Sequence, residues 1–260
     1  MSSTLSPWVA HERVCDAPRV RLVCLPFAGG AAHIYRHWHE LLDEDVELWP
    51  LELPGRATRW SEPAIDDMTV LVREVASALQ SRLHSATPAP LALFGHSFGA
   101  LLAFELGLAL EAQTDVTCAS HRPALLFASG HLPPGAVSPS RIAHLPDDEL
   151  IAALSALGGI PEAVLLDPEI RELALPSLRA DVNAAERYEP SDACLRCPIA
   201  AFGGIMDPSV PVADLASWAA FTTADITTET FLGGHFFLDE RRAEVANAVA
   251  RNLRSLKPPC

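Results

Sequence analysis

Positive charge is scarce in this chain: 19 Lys and Arg stand against 33 Asp and Glu, a formal net charge of -14 over 260 residues. Nucleic-acid and anionic-membrane surfaces are built from clustered Lys and Arg, so this balance argues against both. Long apolar runs are missing too, and no stretch approaches the roughly eighteen uncharged residues of a membrane span. Residues Met1 to Trp8 contain neither the basic nor the apolar region of a secretory signal, so a cytoplasmic protein is expected. The cysteines are few and scattered: Cys15, Cys24, Cys118, Cys194, Cys197 and Cys260. Cys194 and Cys197 alone have a suggestive spacing. They lack the second Cys or His pair that zinc needs, and they lead into a strand-like run where a redox motif opens a helix. Free thiols and no bound metal are the expectation. Gly29 and Gly30 lack the third glycine and the acidic partner of a dinucleotide fingerprint. No internal repeat and no low-complexity linker divides the chain, so one domain over residues 1–260 is expected.

What the chain does have is apolar content, 49% of its residues, arranged in a rhythm of strands and helices. Residues 1–18 show no periodicity and read as a loosely held arm. Strands are predicted at Arg19–Leu25, Val46–Leu53, Leu91–Phe94, Pro123–Ser129, Cys197–Phe202 and Ile226–Phe231. Helices are expected near Tyr35–Leu42, Met68–Leu83, from Ala100 onward, at Val212–Ala220 and at the end of the chain. The alternation predicts an α/β protein whose mostly parallel sheet is covered on both faces. Between about 134 and 190 the rhythm breaks. Only helical segments, near Asp147–Leu157 and Pro168–Tyr188, are legible there, and they read as a helical lid inserted after the fourth strand.

Chemistry concentrates at the strand ends. Gly95-His96-Ser97-Phe98-Gly99 lies between a strand and a helix, the setting of a nucleophile elbow, where flanking glycines relieve crowding and the serine stands exposed. A serine hydroxyl needs a general base, and the base needs an orienting carboxylate. Asp207 and His235 each follow a strand behind two glycines, in the chain order serine, acid, histidine. His96 sits too close to Ser97 in sequence to reach its oxygen. His131 precedes the acid, and Asp214 and Asp225 fall on or beside a helix and a strand. The oxyanion donors expected are the backbone N–H of Phe98 and that of Ala28, in the small-residue loop after the first strand.

Taken together, Leu25 to Gly30 (LPFAGG), Leu53 to Arg56 (LPGR), Phe94 to Gly99 (FGHSFG), Leu145 to Asp148 (LPDD) with Leu157 to Gly159 (LGG), and Gly233 to Phe237 (GGHFF) resemble the type II thioesterases. These are the stand-alone editing enzymes of polyketide synthases and nonribosomal peptide synthetases, with the α/β-hydrolase fold. The likeness runs from about Arg19 to Leu253. It implies hydrolysis of acyl thioesters from the phosphopantetheine arm of acyl or peptidyl carrier proteins, with no cofactor of the enzyme's own. It also implies Ser97 as nucleophile, His235 as base, Asp207 as acid, Ala28 and Phe98 as oxyanion donors, and a mobile lid. Relatives often carry Met where Phe98 stands, and the larger ring is expected to narrow the acyl chamber. A monomer is expected. A carboxylesterase, lipase or acyltransferase would use the same triad, and a non-catalytic binding module would not preserve it. Carrier docking is placed near Arg56, Arg59 or the lid, against the plainer reading of both arginines as solvated surface charge.

Overall fold

The computed structural model describes residues 7–113, 121–135, 141–156 and 166–256. Six strands form one parallel sheet: β1 (Val20–Leu25), β2 (Val46–Pro50), β3 (Leu91–His96), β4 (Pro123–Ser129), β5 (Ile199–Gly204) and β6 (Ile226–Phe231), in the spatial order β2-β1-β3-β4-β5-β6. Successive strand side chains point to opposite faces, and in the central strands both sets are apolar. Val23, Leu25, Leu91, Leu93, Ile199 and Ala201 enter one core; Leu22, Cys24, Ala92, Phe94, Ala200 and Phe202 enter the other.

Helices α1 (Met68–Leu83) and α2 (Phe98–Gln113) cover the first face. The expected stripe of Met68, Leu71, Val72, Val75, Leu79 and Leu83 is the buried face of α1, and Asp67 caps its start by accepting the Val70 N–H at 2.9 Å. Helix α2 is buried on nearly every side because it lies between the sheet and α1, so it needs no polar face. The closing helix of the chain is observed after β6. It covers the second face with Val245, Val249 and Leu253, joined there by Tyr35 and Trp38.

Two expectations are corrected here. In place of a helix over Tyr35–Leu42 there are two short 3-10 turns, Ala32–Tyr35 and Trp38–Glu40. Ala32, Tyr35 and Trp38 recur every three residues and are all buried, a spacing the three-residue turn satisfies. The arm is not loose over residues 7–18. Val9 bridges Leu51 and Arg13 bridges Leu48 in antiparallel sense, covering the outer edge of β2. The Arg13 guanidinium then donates to the carbonyls of His39 at 2.6 Å and Val46 at 2.7 Å, which pins the arm in place.

In the expected lid region, α3 (Asp147–Ser155) and α4 (Pro168–Arg187) form as predicted. Asp167 caps α4, accepting from the Glu169 and Ile170 N–H groups, and Pro168 occupies the first turn, where no N–H is needed. Only the second half of α4 is buried, beginning at Ser177 and Leu178, just after Pro176. Leu157 to Gly159, part of the resemblance, lies outside the described residues, as do Cys118 and Cys260.

Candidate active site

The sheet order reverses at β1 and β3, and loops leaving adjacent strands in opposite directions open a crevice at their carboxyl ends. The loop after β1 and the turn after β3 both sit there. Parallel pairing of Gly95 with Ala128 and of His96 with Ser129 extends β3 two residues beyond the predicted Phe94. Ser97 follows at once with φ of 54°, a left-handed conformation costing on the order of 1–3 kcal/mol outside glycine. Its N–H donates to the Ser129 carbonyl at 2.8 Å, which holds the turn. A Cβ at Gly95 would lie 1.9 Å from the Gly99 carbonyl oxygen, and one at Gly99 would lie 2.4 Å from that of Leu25, so both positions exclude any side chain. Phe98 is the first residue of α2, where backbone N–H groups have no intrahelical partner. Its own side chain is buried in the core on the α1 and α2 face.

Ser97, His235 and Asp207 are brought together in series. The Ser97 hydroxyl lies 2.9 Å from His235 Nε2, and His235 Nδ1 lies 2.7 Å from Asp207 Oδ2. With Nδ1 carrying its proton toward the carboxylate, Nε2 is left to accept from the serine. Asp207 and His235 are buried, 5% and 6% exposed. Their loops are laced together by the Met206 N–H donating to the Gly233 carbonyl at 2.9 Å. Burial pushes the Asp207 carboxyl upward, but the His235 hydrogen bond and charge, with two donors from Ser209, more than offset it and hold the group below its ordinary value.

Sequence reasoning missed Ser209. Its hydroxyl donates to Asp207 Oδ1 at 2.6 Å and its N–H to the same oxygen at 2.9 Å. The signal was present, because an Asp followed two residues later by Ser favours this side-chain turn. The rivals fall elsewhere. His96 is fully buried with Nδ1 2.9 Å from Ser129 Oγ, and its ring packs 5.5 Å from that of His235 as support. Burial, with the His235 charge behind it, drives its pKa well below the ordinary value, so it stays neutral. The His131 ring turns to the Leu132 carbonyl, and Asp214 and Asp225 are exposed.

The picture of solvated arginines near the site is overturned. Arg56 and Arg59 are each only 6% exposed. Arg59 pairs with Glu62 at 2.6 Å and stacks over Trp8, while Arg56 pairs with Asp181 of α4. Both are therefore internal cross-links. They offer no docking surface. Among the described residues no cluster of His, Cys, Asp and Glu has the arrangement of a metal site, and burial pushes the Cys197 thiol up to about 12.

A serine, an imidazole and a buried carboxylate in hydrogen-bonded series at the strand ends of a parallel sheet define a serine hydrolase of the α/β-hydrolase fold. The chain belongs to the thioesterase family: the thioesterase domain profile matches residues 20–255. It is 33% identical to the gramicidin S biosynthesis protein GrsT of Aneurinibacillus migulanus, over 99% of this chain and 98% of that protein. Among solved structures, it is similar to the type II thioesterase BorB from the borrelidin biosynthetic cluster, with a TM-score of 0.82 and 33% identity over 97% of this chain and 100% of that one. RedJ, a thioesterase from the prodiginine biosynthetic pathway in Streptomyces coelicolor, gives a TM-score of 0.80 and 35% identity over 90% and 86% of the two chains.

Proposed function

We propose that this enzyme clears stalled or aberrant acyl groups from a polyketide or nonribosomal peptide assembly line, hydrolysing the thioester that joins them to the phosphopantetheine arm of a carrier protein. The hydrogen-bonded series Ser97, His235, Asp207 carries the reading, in a chain whose relatives serve such pathways. Ser97 attacks the thioester carbonyl while His235 takes its proton and Asp207 steadies the imidazolium. The Ala28 and Phe98 N–H groups hold the tetrahedral oxyanion, which collapses as the C–S bond breaks, and the sulfur takes the proton from His235 and leaves as the pantetheine thiol. Water activated by His235 then adds to the acyl-enzyme, the tetrahedral species collapses, and Ser97 is restored as the free acid departs. A thiolate leaves more readily than an alkoxide, so protonating the leaving group is the lesser demand. No cofactor is required, because the acyl group arrives on the partner's own arm.

Helices α3 and α4 act as the lid over the acyl chamber, since both are inserted between β4 and β5 and the first half of α4 stands largely clear of the core. We assign the enzyme to the cytoplasm as a monomer. Among the described residues no helix is long and apolar enough to cross a membrane, and Cys15, Cys24, Cys194 and Cys197 are free thiols.

The decisive experiment compares one acyl group on a carrier protein, on a pantetheine mimic and on a nitrophenyl ester, with Ser97→Ala alongside. A strong preference for the carrier protein, with turnover abolished and folding intact in Ser97→Ala, is expected. Equal or better use of the oxygen ester would make the chain a general esterase, and turnover surviving in Ser97→Ala would remove Ser97 as nucleophile.

A further inference from the structure

A buried ion pair outside the triad lies behind the loop after β1. The Phe27 carbonyl accepts the Gly30 N–H at 2.8 Å, closing a four-residue turn, and Gly29, third in that turn, has φ of 71°. Positive φ at that place marks a type II turn, whose central peptide is flipped relative to type I. The central peptide here joins Ala28 to Gly29, and its N–H donates to Asp181 Oδ2 at 2.8 Å. Asp181 has no exposed surface, and Arg56 holds it with both prongs, Nη1 to Oδ2 at 2.5 Å and Nη2 to Oδ1 at 2.9 Å. The same Nη1 also donates to the Gly30 carbonyl at 3.2 Å, and Nε donates to that of Pro54 at 3.3 Å. One ion pair therefore grips both the central N–H of the turn and the carbonyl that ends it.

The pair selects one form of the turn. Flipping the central peptide to type I would turn the Ala28 carbonyl toward a buried carboxylate and take the N–H away from it. Types I and II share the same φ at Ala28, so the flip barely turns the peptide between Phe27 and Ala28, which carries the Ala28 N–H. The pair instead fixes the place of that peptide by tethering the Gly29 N–H and the Gly30 carbonyl just beyond it. We propose that Asp181 and Arg56 are positioning residues for hydrolysis at Ser97: by tethering the 27–30 turn they hold the Ala28 N–H in place toward the developing oxyanion. Because Asp181 belongs to α4, that helix and the oxyanion loop are held as one unit. The proposal rests on Ser97 being the nucleophile.

The test uses the full chain in four forms: wild type, Asp181→Asn, the double variant Asp181→Leu with Arg56→Met, and Ser97→Ala as the blank. The double variant removes both charges, so no unpaired ion is left buried if Asp181→Asn folds poorly. Three quantities are read: the rate and final extent of Ser97 labelling by a fluorophosphonate, kcat and KM on an acyl pantetheine thioester, and the melting temperature. Losing one oxyanion donor outright typically costs about 10²–10³ in turnover, so a loosened donor is expected to cost on the order of 10–10². In either variant labelling still reaches completion, but its rate and kcat fall together by that factor while KM stays within about twofold. Wild-type rates in a folded variant overturn the proposal. So does a loss confined to the labelled fraction, with normal turnover per labelled serine, which would make the pair structural only. If wild type labels at Ser97 but spares the thioester, the thioesterase reading fails and the labelling rates still decide the positioning role. No labelling of wild type overturns both.

Discussion

The site has two halves, and they are assembled by different means. The proton-handling half is local: Ser97, Asp207 and His235 each stand within a few residues of the strand that delivers them, and Ser209 braces Asp207 from two residues away. The oxyanion half is closed from a distance. Gly29 meets Asp181 across 152 residues of sequence, and Arg56 meets it across 125. A parallel sheet suffices to gather the first half, because strand ends share one edge. The second half also needs α4 seated in its place. With the proposed roles, chemistry that moves a proton is built into the sheet, while the geometry that stabilises charge depends on an inserted helix.

Asp207→Asn breaks the local half most cleanly. The amide keeps the shape but no longer stabilises the imidazolium or enforces the Nδ1 proton, so kcat is expected to fall on the order of 10⁴-fold with KM little changed. Steady-state kinetics on an acyl thioester, beside a thermal melt, checks this. A loss under about tenfold would mean that another group orients His235, and the claim that the proton half is local would collapse.

Ser209→Ala sharpens the same half with a smaller effect. It removes the hydroxyl donor to Asp207 Oδ1 and leaves the backbone N–H in place. A hydrogen bond to a charged group contributes about 1.5–3 kcal/mol, and only part of it is lost at neutral pH, so kcat is expected to fall by roughly tenfold or less. The depressed Asp207 carboxyl stabilises the fold above its ordinary value of 3.8, and that contribution is lost as pH falls through the folded-state value. Removing a donor raises the folded-state value, so the variant should unfold at a higher pH on the acid side. An acid titration followed by circular dichroism with an unchanged midpoint would show that Ser209 does not support the carboxylate.

The same division decides what was legible in the sequence. Ser97, Asp207 and His235 are legible from strand-end glycines because each has its own signal within a few residues. Helix α1 and strands β4 and β6 were read to the residue, since hydrophobic period and turn residues define them locally. Arg56 shows the opposite case. Nothing near it in sequence marks a carboxylate 125 residues away, so an exposed arginine was the natural expectation. The arm failed for the same reason: residues without periodicity become ordered when they cover the β2 edge. The helix expected at Tyr35–Leu42 failed through period alone, because buried residues every three positions satisfy a 3-10 turn and a longer helix almost equally well on paper.

The smallest effect on activity, and one that separates the halves by pH, comes from Glu52. It lies behind the oxyanion half, 1% exposed, with neither carboxylate oxygen in a well-formed hydrogen bond. Burial pushes its carboxyl up to about 7 from an ordinary 4.5, against the opposing pull of the Ala32 N–H and the Arg56 and Arg59 charges. In the unfolded chain the group loses its proton near 4.5, while the folded chain keeps it until near 7. Between those values the folded state binds more protons, so the stability tied to this group is full below pH 4.5 and is lost as pH rises through 7. The span corresponds to on the order of 3 kcal/mol. Glu52→Gln keeps the shape without the titration, so the fall in unfolding free energy between about pH 5 and pH 8 should flatten, as urea titrations at several pH values would read. Turnover at neutral pH should stay within about threefold of wild type, because neither carboxylate oxygen hydrogen-bonds to the triad or to the 27–30 turn. Equal pH slopes in the two proteins would remove Glu52 as a titrating group. A flattened slope accompanied by a large loss of kcat would place Glu52 inside the machinery that holds the oxyanion loop, and the remote half of the site would then extend beyond Arg56 and Asp181.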